Sequence, residues 1–430
     1  MNTTITRALL LSLPLIAIAK GGLADQPSTP VMTGIPPTAE SQVTKKNWLV
    51  YPYLTWSFKN TSAPLNTLMI PRAGQIRELP RSDTGLNFKD QETGKSLPDL
   101  FEDNRADGII VIKGETILEE AYFNNNSEHR QHIWFSMTKS LVSSAFGTLV
   151  DQGLIDLSKS PAEYIPELRD SAFARTTVQN VLDHTSAIGF TENYTDPTSD
   201  FQRFYAPALG MLYSKGAADA DPMNTEIYGA YDFLATVKPN AALKPGEAFE
   251  YNSSNTDVLG WLLAKLLNKS LDQILHEQIW SQIGAEHDAF IAVDRAYMPA
   301  AAGGFNSTLR DAARFGLMIR DFGRVGDRQV VSKAWIDHIL NVDSKLEDLM
   351  SQNPIYNDAP WQSYHDQWWI LDRDRGEFCA IGIHGQVIYI NRATDTVMVW
   401  FSSQEDASSM KSPNFMPKLN AARRLAVELN

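Results

Sequence analysis

Ile133-Trp134-Phe135-Ser136-Met137-Thr138-Lys139-Ser140-Leu141-Val142 is the stretch on which the reading of this 430-residue chain turns. An apolar run leads into a Ser-x-x-Lys, and a second periodic apolar segment (Leu141, Val142, Phe146, Leu149, Val150) leads out of it. This pattern predicts a strand-like approach and then a long helix with Ser136 in its first turn. Positions i and i+3 share one helix face, so the Lys139 amine falls beside the Ser136 hydroxyl. A serine hydroxyl is a poor nucleophile near neutral pH and needs a base within hydrogen-bond reach. Lys139 can be that base where burial and the positive end of the helix disfavour its ammonium. The spacing alone is not specific. Ser408-Ser409-Met410-Lys411 repeats it, but Pro413 follows and no apolar run extends a helix behind it.

A chain of this length with 43% hydrophobic residues can bury a sizeable core. Its formal charge of -13 argues against a nucleic-acid partner, which would need a basic footprint. Arg7, the apolar run Ala8 to Ala19 and the small residues at Ala17-Ile18-Ala19 and Gly22-Leu23-Ala24 predict a signal peptide over residues 1–24. The run is too short to span a bilayer, so export to a periplasm or medium is expected, with no integral membrane segment after cleavage. The lone Cys379 permits no intramolecular disulfide. No feature of the sequence fixes an oligomeric state.

Gln26 to about Ser41 reads as a Pro/Ser/Thr-rich lead over the surface. The first strong strand signal is a hairpin, Ile109-Ile110-Val111-Ile112 and Thr116 to Tyr122 about a Lys113-Gly114-Glu115 turn. Its counterpart at the far end is Gln386 to Ile390 and Thr396 to Phe401, before a closing helix. Helical periodicity dominates between, as in Thr256 to Leu267 and Leu309 to Phe322. The order predicts an α+β fold in which an antiparallel sheet built from the chain ends (about 45–135 and 360–430) is flanked by helices. A mostly helical middle lobe (about 136–340) is inserted, with the site at the junction. No internal repeat, metal-ligand cluster or cofactor motif is present, so neither metal nor cofactor is expected.

Tyr251, after the turn Lys244-Pro245-Gly246-Glu247, is a candidate third catalytic group, since a phenol near the serine and lysine can carry a proton to a leaving group; it reads equally as a core tyrosine anchoring a turn. Phe378 to Gln386 is a strand broken by two glycines, and glycine in a strand marks close approach of another backbone. If that strand edges the site, the Ile383 and Ser136 N–H groups can form an oxyanion hole. His384 is a candidate at the substrate or, facing the other side of the strand, a structural residue. Asp183-His184-Thr185-Ser186 and Thr191 to Pro197 are turn-rich loops of the kind that often carries binding residues, and they read equally as surface loops with solvated acidic residues and His184 as a local cap. No Gly-x-Ser-x-Gly elbow occurs.

Taken in order, these motifs resemble the β-lactamase-related serine hydrolases, and within them the 6-aminohexanoate-dimer hydrolases. The resemblance runs from Asn47-Trp48 and Trp56-Ser57-Phe58 through Ser136 to Ser140, Ile155 to Leu168, Leu182 to Ser186 and Asn193-Tyr194-Thr195-Asp196-Pro197. It continues through Pro245 to Tyr251, Thr256 to Gly260, Gly303 to Asp311 and Gly382 to Gln386. It implies a β-lactamase and penicillin-binding-protein-like fold, an acyl-serine at Ser136, a base at Lys139, a proton-shuttling Tyr251 and an oxyanion hole from Ser136 and Ile383. It also implies that Tyr194, on a loop, contacts the scissile amide. The chain departs from the family where Ala380-Ile381-Gly382 stands for Lys-Thr-Gly and Ser253 for the asparagine two after the tyrosine. A carboxylate-binding cation is thereby lost, so a small ester or linear amide is expected rather than a β-lactam. The competing readings are a carboxylesterase without amidase activity, a D-aminopeptidase-like enzyme and a non-catalytic cell-wall ligand-binding module.

Overall fold

The computed structural model describes residues 31–211 and 227–430; the expected signal peptide lies outside the described residues. The strand signals from the two chain ends meet in one antiparallel sheet. Its strands are β1 (Ala106–Lys113), β2 (Thr116–Tyr122), β3 (Ser363–His365), β4 (Trp368–Asp372), β5 (Glu377–Gly382), β6 (Gln386–Asn391) and β7 (Thr396–Ser402), in the spatial order β3-β4-β5-β6-β7-β1-β2. The last strand closes on the first, from Thr396 opposite Lys113 to Phe401 opposite Gly108.

Side chains alternate between the two faces of a strand, and here both faces are covered, which is why β1 reads as a continuous apolar run. Ile110, Ile112, Ile388, Ile390, Val397 and Val399 join one core, while Ile109, Val111, Val387, Tyr389, Met398 and Trp400 join the other. Helices that pack into the first core include α1 (Met137–Asp151), α2 (Ser253–Leu267) and α3 (Leu309–Arg320); those of the second include the terminal helix α4 (Met416–Glu428) and the short helix Leu97–Asp103. α3, which falls by residue number in the middle of the chain, packs directly on β6, β7 and β1. Among the described residues no helix is long and apolar enough to cross a membrane.

A second sheet has four short strands, Thr67–Ile70, Ala289–Ala292, Phe305–Ser307 and His132–Ile133, of which the sequence signals only the last, as the strand-like approach to Ser136. Its edge strand His132–Ile133 pairs with Asn306 and Ser307, and the Trp134 N–H donates to the Phe305 carbonyl at 2.8 Å, so the chain reaches Ser136 already tied to residues 305–307. Nearby, the fully buried Asp107 accepts from Lys59 Nζ at 3.0 Å, Asn124 Nδ2 at 3.1 Å and Ser403 Oγ, and lies 3.0 Å from His132 Nε2. Burial pushes this carboxyl upward, but the Lys59 charge and the His132 and Ser403 contacts hold it well below the usual carboxylate range.

Candidate active site

Ser136 is the N-cap of α1, just ahead of the first turn in which the sequence pattern places it, and the residue before it is strained. Phe135 has φ 46°, a left-handed conformation that is costly for a bulky side chain. Packing holds it there: its ring stacks on Trp48 at 6.2 Å, meets Phe58 edge-on at 4.9 Å and lies 5.5 Å from His384. The consequence is a sharp turn that presents Ser136 while Lys139, one helical turn on, is 1% exposed.

The Lys139 amine donates to Ser136 Oγ at 3.0 Å, Ser253 Oγ at 3.0 Å and the Ala302 carbonyl at 2.7 Å. Burial pushes its pKa down to about 8 against the upward pull of Glu192 and Asp257. Ser253 comes from the first residue of α2 and donates in turn to Glu192 Oε1 at 2.7 Å, while its N–H reaches Glu192 Oε2 at 2.5 Å. Tyr194 also donates to Glu192 Oε1, at 2.6 Å. Glu192 therefore ties the 191–197 loop to the start of α2 and to the lysine. Asp257, one turn into α2, accepts from the Tyr205 hydroxyl at 2.5 Å and the Ala302 N–H at 3.1 Å, and burial raises it to about 7.

Tyr251 lines a cleft together with Ser136, and burial keeps its phenol protonated well above the ordinary range. Its ring lies between His184 (4.8 Å, 25°) and Trp369 (5.5 Å, 20°), with the lysine amine 5.3 Å from its centroid. His184 is thus a wall behind the tyrosine. Its Nδ1 accepts from the Asn252 N–H at 2.7 Å, which leaves the Nε2 hydrogen for Gln367 Oε1 at 3.2 Å. Burial, then the lysine charge, push its pKa down to about 3, so the ring is neutral. Gln367 Oε1 also accepts from Thr256 at 2.7 Å.

Two clefts meet at Ser136. One, about 410 Å³, is lined by Phe201, Tyr205, Leu209, Met211, Ala300 and Ser253; the other, about 380 Å³, by Tyr251, Tyr356, Trp369, Ile381, Ser408 and Ser409. Ser136, Tyr194 and Ile383 border both. Gly382 is required where β5 touches the approach to Ser136, since a Cβ there would sit 2.2 Å from the Trp134 carbonyl oxygen. That contact brings the Ile383 and Ser136 backbones to the same wall.

His384 stands behind this wall rather than in either cleft, which corrects its placement at the substrate. Its left-handed backbone (φ 59°) turns the ring into the core, 2% exposed, 4.9 Å from Phe58 and with Nδ1 donating to the Gln404 carbonyl at 2.7 Å. Burial lowers its pKa to about 4. The second Ser-x-x-Lys forms only a 3₁₀ turn, Ser409–Lys411, with Ser409 Oγ donating to the Gly382 carbonyl at 2.9 Å. Sequence reasoning missed Glu192, Ser253 and Asp257 as polar partners of the lysine; the one signal available was that Thr191 to Pro197 concentrates polar side chains in a loop. A hydroxyl, an amine that is partly neutral near pH 8 and a protonated phenol within mutual reach can carry out acyl transfer.

The family described as Beta-lactamase matches residues 101–416. A 6-aminohexanoate-dimer hydrolase from Paenarthrobacter ureafaciens is 32% identical over 374 residues, 86% of this chain and 91% of that protein. A provisionally assigned 6-aminohexanoate-dimer hydrolase from Bacillus anthracis superposes with a TM-score of 0.77 at 29% identity, over 90% of this chain and 97% of that one. A family VIII carboxylesterase shares the fold, with a TM-score of 0.54 at 16% identity over 79% of this chain and 99% of its own.

Proposed function

Since the chain belongs to the β-lactamase family of hydrolases, we propose that it cleaves a small ester or linear amide through an acyl-serine intermediate on Ser136. The observation that carries this reading is the 3.0 Å contact between Ser136 Oγ and a buried lysine whose pKa is lowered to about 8. Neutral Lys139 takes the hydroxyl proton as Ser136 Oγ attacks the carbonyl carbon. The developing oxyanion is received by the Ser136 and Ile383 N–H groups. Tyr251 gives its proton to the departing amine or alcohol and is reprotonated from the Lys139 ammonium; water then attacks the acyl-serine with Lys139 again as base. The acyl and leaving portions occupy the two clefts on either side of Ser136, with Tyr194 over the scissile bond. Similarity to a 6-aminohexanoate-dimer hydrolase favours a linear amide. The second cleft, with no cationic side chain among its lining residues, gives no ion pair to a β-lactam carboxylate. On the Arg7 and Ala8 to Ala19 pattern, the enzyme acts after export.

Intact mass after exposure to a p-nitrophenyl ester, quenched during the burst, tests this reading. An acyl adduct is expected on the wild type and not on Ser136→Ala. A folded wild type giving neither adduct nor burst with several acyl lengths overturns it in favour of a ligand-binding module. Matched ester and amide substrates then separate an amidase from a carboxylesterase.

A further inference from the structure

Outside both clefts at Ser136 the structure holds a second cluster of ionisable side chains. A polar cavity of about 930 Å³, open to solvent, is lined by Asp183, His338 and His365 together with Asn341 and Lys345. Asp366 is fully buried beside them, its Oδ2 2.6 Å from His338 Nδ1. His338 projects from the helix Lys333–Leu340, whereas His365 and Asp366 sit at the end of β3 and in the turn to β4. That turn is unusual. A two-residue hairpin loop with positive φ at both positions normally uses Asn-Gly or Asp-Gly, but here Asp366 (φ 47°) and Gln367 (φ 68°) adopt it. Strain of this kind persists where the surroundings fix it, and it clusters at functional sites.

We propose that His338, His365 and Asp366 form a site for a borderline divalent transition-metal ion such as zinc. One ligand atom from each lies within 4.8 Å of the others: Asp366 Oδ2 is 2.6 Å from His338 Nδ1 and 3.6 Å from His365 Nδ1. Bonds of about 2.1 Å in tetrahedral geometry place ligand atoms about 3.4 Å apart. His338, half-buried on a surface helix, needs to withdraw from Asp366 by less than 1 Å to reach that spacing. His365 Nδ1 donates to the Ile339 carbonyl at 3.2 Å without the ion; binding the ion there moves that hydrogen to Nε2 and ends this bond. Groups of the kind that orient metal ligands lie beside both buried ligands. Asp366 Oδ1 accepts from Gln179 Nε2 at 3.0 Å, and Asp183 Oδ1, 3.6 Å from His365 Nε2, can accept its hydrogen once Gln179 Nε2, now 3.3 Å from that nitrogen, turns away. Two imidazoles and one carboxylate suit zinc and its neighbours rather than calcium or magnesium, and the cavity supplies the open position for water. The bound ion clamps the helix Lys333–Leu340 to the β3–β4 turn.

Titration of zinc into the chelator-stripped full chain, read by calorimetry and by competition with a chromophoric chelator, tests the assignment. One equivalent is expected to bind, with a rise in melting temperature. His338→Ala, a half-exposed position whose loss leaves the core intact, is expected to weaken binding more than ~100-fold, since loss of an outer-shell partner alone costs about 10–100-fold. His129→Ala, at an exposed histidine elsewhere, is expected to bind as the wild type does. No binding by the wild type, or equal binding by His338→Ala, overturns the proposal and leaves a proton-sharing network. Neither outcome depends on whether Ser136 is a nucleophile.

Discussion

With its pKa at about 8, Lys139 carries its proton in most molecules at neutral pH and cannot then receive one from Ser136. Hydrolysis should therefore climb as pH rises towards 8 and level off above it, because Tyr251 holds its proton far into the alkaline range. A flat pH–kcat/KM profile would refute the assignment of the base, and Lys139→Ala is expected to lose about 10²–10⁴-fold in rate. Glu192 is coupled to that profile. Its charge raises the lysine pKa, so Glu192→Gln, which keeps the shape but not the charge, should move the rising limb to lower pH. Initial rates across pH 5 to 10 read this directly. Ser136 and Lys139 were legible in the sequence because their juxtaposition is local, three residues on one helix face. Glu192 was not, because its hydrogen bond to Ser253 spans 61 residues. Nothing in a turn-rich loop marks which carboxylate folds inward. His384 misled for the opposite reason: its neighbour borders the clefts, but a left-handed backbone turns its own side chain away.

Among the elements, the junction between β5 and the segment before α1 leaves the least room for change. Gly382→Ala would place a methyl group 2.2 Å from the Trp134 carbonyl oxygen, and backbone on both sides has no flexible end to yield. The expected result is a loss of about 1–3 kcal/mol or more in stability with a larger loss of activity, since the Ile383 N–H is displaced along with the strand. Thermal unfolding and ester turnover measured on the same preparation would show both. Strands β1, β2, β6 and β7 and helices α2 and α3 were legible because each is long and regular in period. The edge strand His132–Ile133 has only two residues, too few to show any period, and reads only as the strand-like approach to Ser136, to which it delivers the chain.

For the molecule as a whole, Asp107 binds together segments that are distant in sequence: Lys59, Asn124, His132 and Ser403 all converge on it. Asp107→Asn removes the carboxylate while Lys59 stays buried, and losses of about 3–5 kcal/mol follow when one member of a buried ion pair is removed. The sign of the acid response is set by the depressed pKa. The stabilisation is complete above the ordinary carboxylate range and is lost as pH falls below it towards the folded value. Urea denaturation between pH 7 and 3 should show the wild type losing stability that the asparagine variant never had. The general sheet-and-helix architecture was legible from strand signals at the two ends of the chain, although no local pattern could reveal that β7 pairs with β1. That pairing sets an order of events during synthesis. A chain made as far as Leu340 contains α1, α2 and α3 but only two of the seven strands of the sheet, and β1 has an open edge until β7 is made. Ser136 and Lys139 belong to the early part of the chain and Ile383 to the late part, so the two walls of the site cannot meet before β5 has been made.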